Sequence, residues 1–556
     1  MKISLFPFLL FIAFVSKSFC QTPNWNWANT INGHWDEKGE KIISDKNGNI
    51  FVVGSFKSPM INFGIDTLYC NSGGELFIVK YDSVGNPLWA KNIIDGIGGE
   101  AWVTGVSVDS VGDIYVCGYD SYQAVIIGTT TTWKWRVKDI FIKKYNTNGA
   151  EIWTKEFGGD VYDVANSITT SSDGSFFITG YFNSDSLIFG NDTLINPAHL
   201  SEFFIAKIDS TGTPLWAKKA QNITTWGFAN GTSVTVDNFG CVYVSGEFGG
   251  SVNFDNTIVV SNNQSEDLFI AKYDNLGNNL WIKTFGSSNT DENFLIKCDN
   301  NNLYASGWHF YSASISFGNI SLNLGPIFIA KFDLQGNTIW AKDIGSAYDD
   351  ICTDIAVDVI GNFYISGYFE TSLLNLGNFN LLNKDSNWGY SDVFIAKYDS
   401  NGNNIWSKSS DSTYIGTASE LNRGICVDPF FNIYITGYFL NQIKFNSIFF
   451  NSSGNADFFT AKLTQNNMTT NTSFEQINNL SVSIFPNPSN SILNIKFEGD
   501  INNAYLTIVS SIGETIISSI LKNNDSKLNI DELKPGVYCL KINYENKQWT
   551  SKIIIN

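Results

Sequence analysis

The sequence predicts an all-β fold: a seven-bladed β-propeller closed by an N-terminal strand and followed by a small C-terminal β-sandwich. Three observations predict it. One strand-turn-strand phrase returns six times at a spacing in the low sixties, a second such phrase alternates with it, and the pattern changes again after residue 480. Composition agrees, since aromatic residues make up 15% of the 556 residues and charged residues only 16%. Gly, Asn, Ser and Thr crowd the remainder, as in many short strands joined by polar turns.

The first twenty residues come first in order. Met1 to Cys20 carries one lysine, an apolar run from Leu5 to Val15 and the triplet Ser18-Phe19-Cys20, which reads as a signal peptide cleaved before Gln21. The alternative, acylation of Cys20, is disfavoured by Phe19 and Lys17 beside it. No other stretch is long and apolar enough to span a membrane as a helix. The net charge of -18, from 53 acidic and 35 basic side chains, repels phosphate backbones and excludes nucleic acid as a partner. Cys117, Cys241, Cys298 and Cys426 fall in strand-like runs of different repeats, so buried free thiols are expected in place of a disulfide framework.

The first phrase reads FIVKYDSVGNPLWAK (77 to 91), then recurs from 141, 204, 269, 328 and 394, ending each time on a strand with Trp153, Trp216, Trp281, Trp340 or Trp406. The second reads VDSVGDIYVCGYD, VDNFGCVYVSGEF, VDVIGNFYISGYF and VDPFFNIYITGYF, with looser versions around Gly54, Gly180 and Gly307. Each phrase places D-x-x-G between two β-rich runs, which suits a type I turn followed by glycine in the left-handed region. One repeat therefore supplies four strands. Such a unit cannot cover its own apolar faces, and radial stacking covers both. The seventh copy, FFTAKLTQNN (458 to 467), lacks its tryptophan strand, whereas PNWNWANT (23 to 30) matches that strand. Trp27 is read as the missing seventh tryptophan, with the N-terminal strand closing the ring. Phrases such as INFGIDTL (61 to 68) and LIFGNDTL (187 to 194) are read as a small added hairpin in each blade.

These phrases resemble the seven-bladed β-propeller repeat of secreted bacterial proteins, the SBBP repeat, over about residues 24 to 464. That resemblance implies a fold and almost nothing about activity. A polar stretch without period, 465 to 480, reads as a linker between the propeller, 21 to 464, and a last domain, 481 to 556. There VSIFPNPSNSILNIKF (482 to 497), AYLTIVSSIGETI (504 to 516) and LNIDELKPGVYCLKI (528 to 542) suggest a small antiparallel sandwich. With FPNP at 485 to 488, this region resembles the type A-like sorting domain of type IX secretion in Bacteroidota. The resemblance implies the type IX machinery as a partner and a secreted or outer-surface location.

Function is expected in the differences between repeats, on the face opposite the short D-x-x-G turns. Trp35, Trp102, Trp133, Trp135, Trp226, Trp308 and Trp388 lie outside the shared strands, Trp133 and Trp135 within TTTTWKWRVK (129 to 138). Exposed tryptophans offer flat faces on which sugar rings or proteins stack; packing each against its own blade is the plainer alternative. Carboxylates recur before the second phrase at Asp36, Glu37, Glu100, Asp163, Asp291, Asp349, Asp350 and Glu420. They could line the mouth of a central channel and hold Ca²⁺, the one cofactor the pattern raises, or they could cap loop amides. The three histidines, His34, His199 and His309, sit in no catalytic motif, although acid and base carboxylates can assemble across blades without one. Three readings follow: a surface protein binding a glycan or another protein, an extracellular carbohydrate-active enzyme, and a structural spacer.

Overall fold

The computed structural model describes residues 23–465 and 475–555, except 71–72, 95–100, 128–129, 300, 310–313, 324, 347–349, 384–389, 411–418, 478–479, 486–488, 490, 499–502, 510–514, 532, 534–535 and 545–546; over 121–127, 130–137, 475–477, 480–481, 498, 515, 536–537, 544, 547–550, 552 and 554 it describes the backbone alone. Strands dominate throughout. Residues 24 to 464 form seven antiparallel sheets of one plan, the third extended by a further hairpin. The first sheet runs Glu37–Ser44, Ile50–Phe56, Glu75–Tyr81 and Pro87–Asn92, each strand pairing with the next. The first strands of the others are Ala101–Val108, Asp163–Thr170, Phe228–Val236, Asp291–Cys298, Ile351–Val357 and Ser419–Val427. The seventh sheet takes its fourth strand from the N-terminal end of the described chain: Asn24–Ile31 pairs with Ile448–Thr464.

Each first strand packs against the first strand of the next sheet, and Ser419–Val427 of the seventh packs against Glu37–Ser44 of the first. The middle strands are the most buried. In the first sheet Phe51, Val53 and Ile78 point one way, toward Ile114 and Phe141 of the second, while Val52 and Val79 point the other, toward Tyr434 and Phe458 of the seventh. Alternation of side chains along a strand thus gives every sheet two apolar faces, both covered by neighbours.

The D-x-x-G turns explain why the repeat is so regular. Asp82 Oδ1 accepts the amides of Val84 and Asn86, and Asn86 Nδ2 returns a bond to Asp82 Oδ2. Asp274, Asp333 and Asp399 organise their turns the same way. The glycine has a second reason. Gly85 and Gly149 have φ of 93° and 78°, and a Cβ at either would come within 2.8 Å of the Trp27 or Trp89 ring. The turn is therefore held against the previous sheet's tryptophan. Trp89 Nε1 and Lys80 Nζ both donate to the Thr147 carbonyl of the next turn, at 3.2 and 3.0 Å. Trp153 and Lys144 do the same at Ser210, and Trp340 and Lys331 at Ser400. The lysine also lies over an aromatic ring of its own sheet in all seven cases, from Lys80 on Phe51 to Lys462 on Tyr434.

The added hairpins stand alone in four sheets, for example Met60–Asn62 with Thr67–Tyr69 and Ser186–Phe189 with Asp192–Ile195, and that of the fourth, Ser251–Phe254 with Thr257–Val260, joins the edge of the third sheet. In the second and seventh sheets the expected separate hairpin is absent. There the second and third strands simply continue, as Ile114–Ile127 with Thr130–Tyr145 and Ile433–Phe445 with Ile448–Thr464. The described cysteines are all free thiols, and Cys117, Cys352, Cys426 and Cys539 are buried.

The C-terminal residues form two further four-stranded antiparallel sheets. Leu480–Phe485 and Ile492–Glu498 belong to one, Ala504–Val509 and Gly536–Tyr544 to the other. Val482, Leu493, Ile495, Leu506, Ile508, Leu540 and Ile553 join in a single core between them. Of the FPNP phrase, residues 486 to 488 lie outside the described residues. Among the described residues no helix is long and apolar enough to cross a membrane.

Candidate binding cavities

Two positions recur in every sheet near the contact of the first strands. The first is a β-bulge in each first strand, where one residue is extruded from the ladder and its side chain re-aimed. The register breaks between Gly39 and Lys41, Val103 and Gly105, Ala165 and Ser167, Gly231 and Ser233, Glu292 and Leu295, Cys352 and Asp354, and Asn422 and Gly424. In the second to fifth sheets the extruded residue donates to a carbonyl of the following first strand. Thr104 reaches Ala165 at 2.6 Å, Asn166 reaches Gly231 at 2.8 Å, Thr232 reaches Phe294 at 2.6 Å and Asn293 reaches Cys352 at 2.7 Å. In the first and seventh sheets the position is held by Glu40 and Arg423. Arg423 lies 5.7 Å from the centre of the Tyr438 ring. Burial raises the Glu40 carboxyl above the ordinary range, and the nearby Arg423 charge opposes that rise.

The second position follows the glycine of each second strand. It is aromatic in five sheets, at Tyr119, Tyr181, Trp308, Tyr368 and Tyr438, and departs at Ser55 and Glu247. The departures matter because the two positions meet. A cavity of about 640 Å³ is lined by Glu40, Arg423, Glu247, Glu292, Trp308 and Tyr368, with Lys41 and the bulge residues Asn166, Thr232, Asn293 and Thr353 completing its wall. Burial pushes Glu247 up to about 7, and the charges of Glu266 and Glu292 add to the rise; the Asn293 amide, donating to Oε1 at 2.6 Å, opposes it. Glu266 is pushed to about 7 by burial and by Glu292. The arrangement offers an indole and a phenol for stacking, several neutral donors and acceptors, and charges of both signs.

A second cavity of about 420 Å³ lies between the first and second sheets. Trp102, Tyr119, Lys38, Lys57 and Lys138 line it, with Ser55, Asp36 and Glu75. Of the tryptophans singled out in the sequence, Trp308 thus lines the larger cavity and Trp102 the smaller. Trp35 and Trp226 are exposed and line neither. The side chains of Trp133 and Trp135, and all of Trp388, lie outside the described residues.

Among the described residues, several of the recurrent carboxylates cap loop amides. Glu37, Asp163, Asp291, Asp350 and Glu420 are buried. Asp163 accepts the amides of Asn183 and Ser184 and the Ser184 hydroxyl; Asp291 accepts the Ser287 amide; Glu37 accepts the Ser58 amide; Asp350 accepts the Ser346 amide and the Thr371 hydroxyl. They sit at the start of each first strand, where donors from the loop entering it (Ser287, Ser346) or from the segment after the second strand (Ser58, Ser184, Thr371) draw them inward. Asp36 pairs with Lys57 at 3.1 Å. Glu100 and Asp349 lie outside the described residues. Elsewhere Asp160, Asp185 and His199 bring potential metal-ligand atoms within 4.8 Å of one another on exposed loops. Sequence reasoning passed over Glu40, Glu247, Glu292 and Arg423. The signal for two of them was a departure from an aligned repeat, a glutamate in place of tyrosine at 247 and an arginine at a bulge otherwise held mostly by threonine or asparagine.

Comparison with known proteins bears on the two parts unequally. Residues 483–556 match the family described as the secretion system C-terminal sorting domain. The chain therefore carries a sorting domain, which implies the type IX machinery as a partner and delivery to the outer surface or the medium. An uncharacterized WD repeat-containing protein of Acanthamoeba polyphaga mimivirus is 24% identical, the match covering 77% of this chain. The chain spans about 37% of the length of that relative. Among solved structures, a protein of unknown function from Dyadobacter fermentans has a TM-score of 0.36 at 9% identity, covering 79% of this chain and 98% of its own. The plexin A4 extracellular region reaches 0.43 at 7%, covering 96% and 62%. PorZ, a type IX surface component of Porphyromonas gingivalis, has 0.18 at 10%, covering 95% and 100%. At these scores the likeness is one of β-rich architecture alone.

Proposed function

We propose that this chain is an exported surface protein in which residues 21 to 464, after loss of a signal peptide at 1 to 20, form a closed seven-bladed propeller that recognises a glycan in its central cavity. Residues 465 to 480 act as a linker to the sorting domain. The ring reading draws on the order of first-strand contacts, which returns from the seventh sheet to the first, and on the Asn24–Ile31 strand supplying the seventh sheet's tryptophan. The recognition reading rests on one observation: at the two positions repeated in every sheet, Glu40, Glu247 and Arg423 break the pattern, and all three line the cavity that also holds Trp308. Residues common to all repeats build the blade, so departures that converge in space mark a site.

A second reading, a glycan hydrolase or lyase, is favoured by the carboxylate of Glu247, raised to about 7 in a cavity that also holds Glu292. A group poised near neutrality suits an acid, and a second carboxylate suits its partner. The deciding experiment is a glycan-array screen of the purified protein with and without Ca²⁺, run beside an assay for sugar release. Binding without release, lost in Trp308→Ala and Arg423→Ala, supports recognition. Release that disappears in Glu247→Gln or Glu292→Gln makes the protein an enzyme. Neither binding nor release removes the glycan and leaves a protein ligand or the spacer. Dependence on Ca²⁺ would bring the loop carboxylates back as cation ligands.

A further inference from the structure

We infer that a third, narrower cavity, walled by the first strands of all seven sheets, is a binding site for a small oxyanion held between Lys41 and Lys297. It measures about 300 Å³, lies beside the larger cavity and shares Lys41, Asn166, Thr232 and Leu295 with it. The charged residues of its wall are Lys41, Lys297 and Asp354. All three depart from the repeat. Lys297 pairs with Tyr304 in the ladder, and the same register position is Ile43, Ser107, Thr169, Thr235, Ala356 or Cys426 in the other sheets. Lys41 and Asp354 follow the bulge, where the other sheets have Gly105, Ser167, Ser233, Leu295 and Gly424. Residues common to the repeat build the sheets, so charges that converge from departing positions mark a site.

The two ammonium groups have no partner of their own. Among the described residues, neither Lys41 nor Lys297 makes a hydrogen bond or an ion pair through its side chain. Asp354 is committed to the backbone, Oδ1 accepting the Ile355 amide at 2.9 Å and Oδ2 the Ile425 amide at 3.1 Å. Two lysines therefore share a wall with one carboxylate that is already engaged. Glu40, on which the Lys41 charge also acts, lines the larger cavity with Arg423, whose charge acts on it more strongly. Burial lowers the Lys297 amine below the ordinary lysine range; Asp354 opposes that fall and Lys41 adds to it, so the two lysines are near enough to repel one another. The hydroxyls of Ser44, Thr104, Thr232 and Ser233 on the same wall already donate to carbonyls. The strongest donors of the wall are thus its uncommitted ones. An oxyanion between them accepts from both, relieves their repulsion and replaces the hydration they lose on burial. The volume admits phosphate, or the carboxylate of a sugar acid whose ring rests in the larger cavity.

The test is calorimetric titration of the full chain with inorganic phosphate and with glucuronate at constant ionic strength. At least one should bind saturably at millimolar concentration or below. Phosphate binding identifies a site for free oxyanions, and glucuronate binding without phosphate identifies a site for the acidic end of a sugar. Lys41→Gln and Lys297→Gln should each weaken the binding by roughly tenfold or more. Lys91→Gln, which removes an exposed lysine, should leave it unchanged. In anion-free buffer Lys297→Gln should unfold no earlier than the parent, because the parent buries a charge without a partner; loss of binding is thereby kept apart from loss of fold. Trp308→Ala, in the larger cavity, should leave phosphate binding intact, which separates this site from the recognition proposed there. Absence of saturable binding by both anions, or parent affinity in both lysine variants, overturns the inference.

Discussion

Trp27 and Ser83 are 56 residues apart in the chain and meet through one hydrogen bond, the indole Nε1 of Trp27 donating to the Ser83 carbonyl at 3.3 Å. Lys462, from the far end of the repeats, donates to the same carbonyl at 2.8 Å. The pair repeats what Trp89 and Lys80 do at Thr147. The seventh sheet therefore grips the first through the same device by which the first grips the second, although its tryptophan arrives from the other end of the chain. The turn lies close against that ring, so that a Cβ at Gly85 would come within 2.8 Å of it.

Trp27→Ala removes both the bond and the ring on which the turn rests. A large aromatic truncated at a packed position costs about 3 kcal/mol or more. The expected outcome is a drop in chemical-denaturation stability of that size, matching the drop from Trp89→Ala. A Trp27 variant as stable as the parent would mean that the first and seventh sheets are held together by other contacts.

The Glu37 carboxyl links the same two sheets, and its titration has a definite sign. It is buried, accepts the Ser58 amide through Oε1, and lies against Asp457 of the seventh sheet. Burial raises it from 4.5 to about 7, and Asp457 adds to the rise. Between those values the folded chain holds a proton that the unfolded chain has released, so stability falls as pH climbs from 4.5 to about 7 and the loss is complete above. Glu37→Gln keeps an acceptor for Ser58 and supplies a permanent donor toward Asp457. Unfolding measured across this range should show a shallower slope for the variant and higher stability than the parent on the alkaline side. An unchanged slope would show that Glu37 does not carry this titration.

The architecture was legible because its causes are local. Asp82 with Gly85 makes a turn by itself, and Trp89 must find a neighbour wherever that turn recurs, so the phrase implied both hairpin and stacking. Trp27 could be identified for the same reason, a strand with no repeat of its own matching a repeat with no strand. The cavity was illegible because Glu40 and Arg423, distant in sequence, become neighbours only through the contact of the first and seventh sheets. Each reads as an ordinary surface charge until the bulge register aligns them. The carboxylates at Asp163, Asp291 and Glu420 were visible as a series, but a series open to two meanings. Hydrogen bonding to loop donors such as Ser184 and Ser287 is a property of the folded loop, which spacing does not reveal.

The bulge residues tie neighbouring sheets together near their inner strands. Thr104 Oγ1 donates to the Ala165 carbonyl at 2.6 Å, and valine has nearly the same shape without the donor. Thr104→Val should therefore cost about 1 kcal/mol, and Asn166→Leu, which loses the bond to Gly231, a similar amount. Because the two bonds join successive sheets through residues in one relay, the double variant measured by thermal unfolding should lose more or less than the sum. Strict additivity would show that each junction is held independently.

Export rests on a part of the chain with a core of its own. Val482, Leu493, Ile495, Leu506 and Leu540 pack with one another, in a cluster that includes no residue of the seven repeat sheets. Deleting residues 483–556, the segment that matches the sorting domain, should leave those sheets' own cores in place while removing the export signal. In a host with type IX secretion, the full chain should reach the surface or the medium, and the truncated chain should be retained inside the outer membrane with the unfolding transition of the repeat region preserved. Retention with that transition lost would show that the repeats depend on the tail for folding. Surface delivery of the truncated chain would show that residues 483–556 are dispensable as an address, and the surface role proposed for the cavities would then need another route of export.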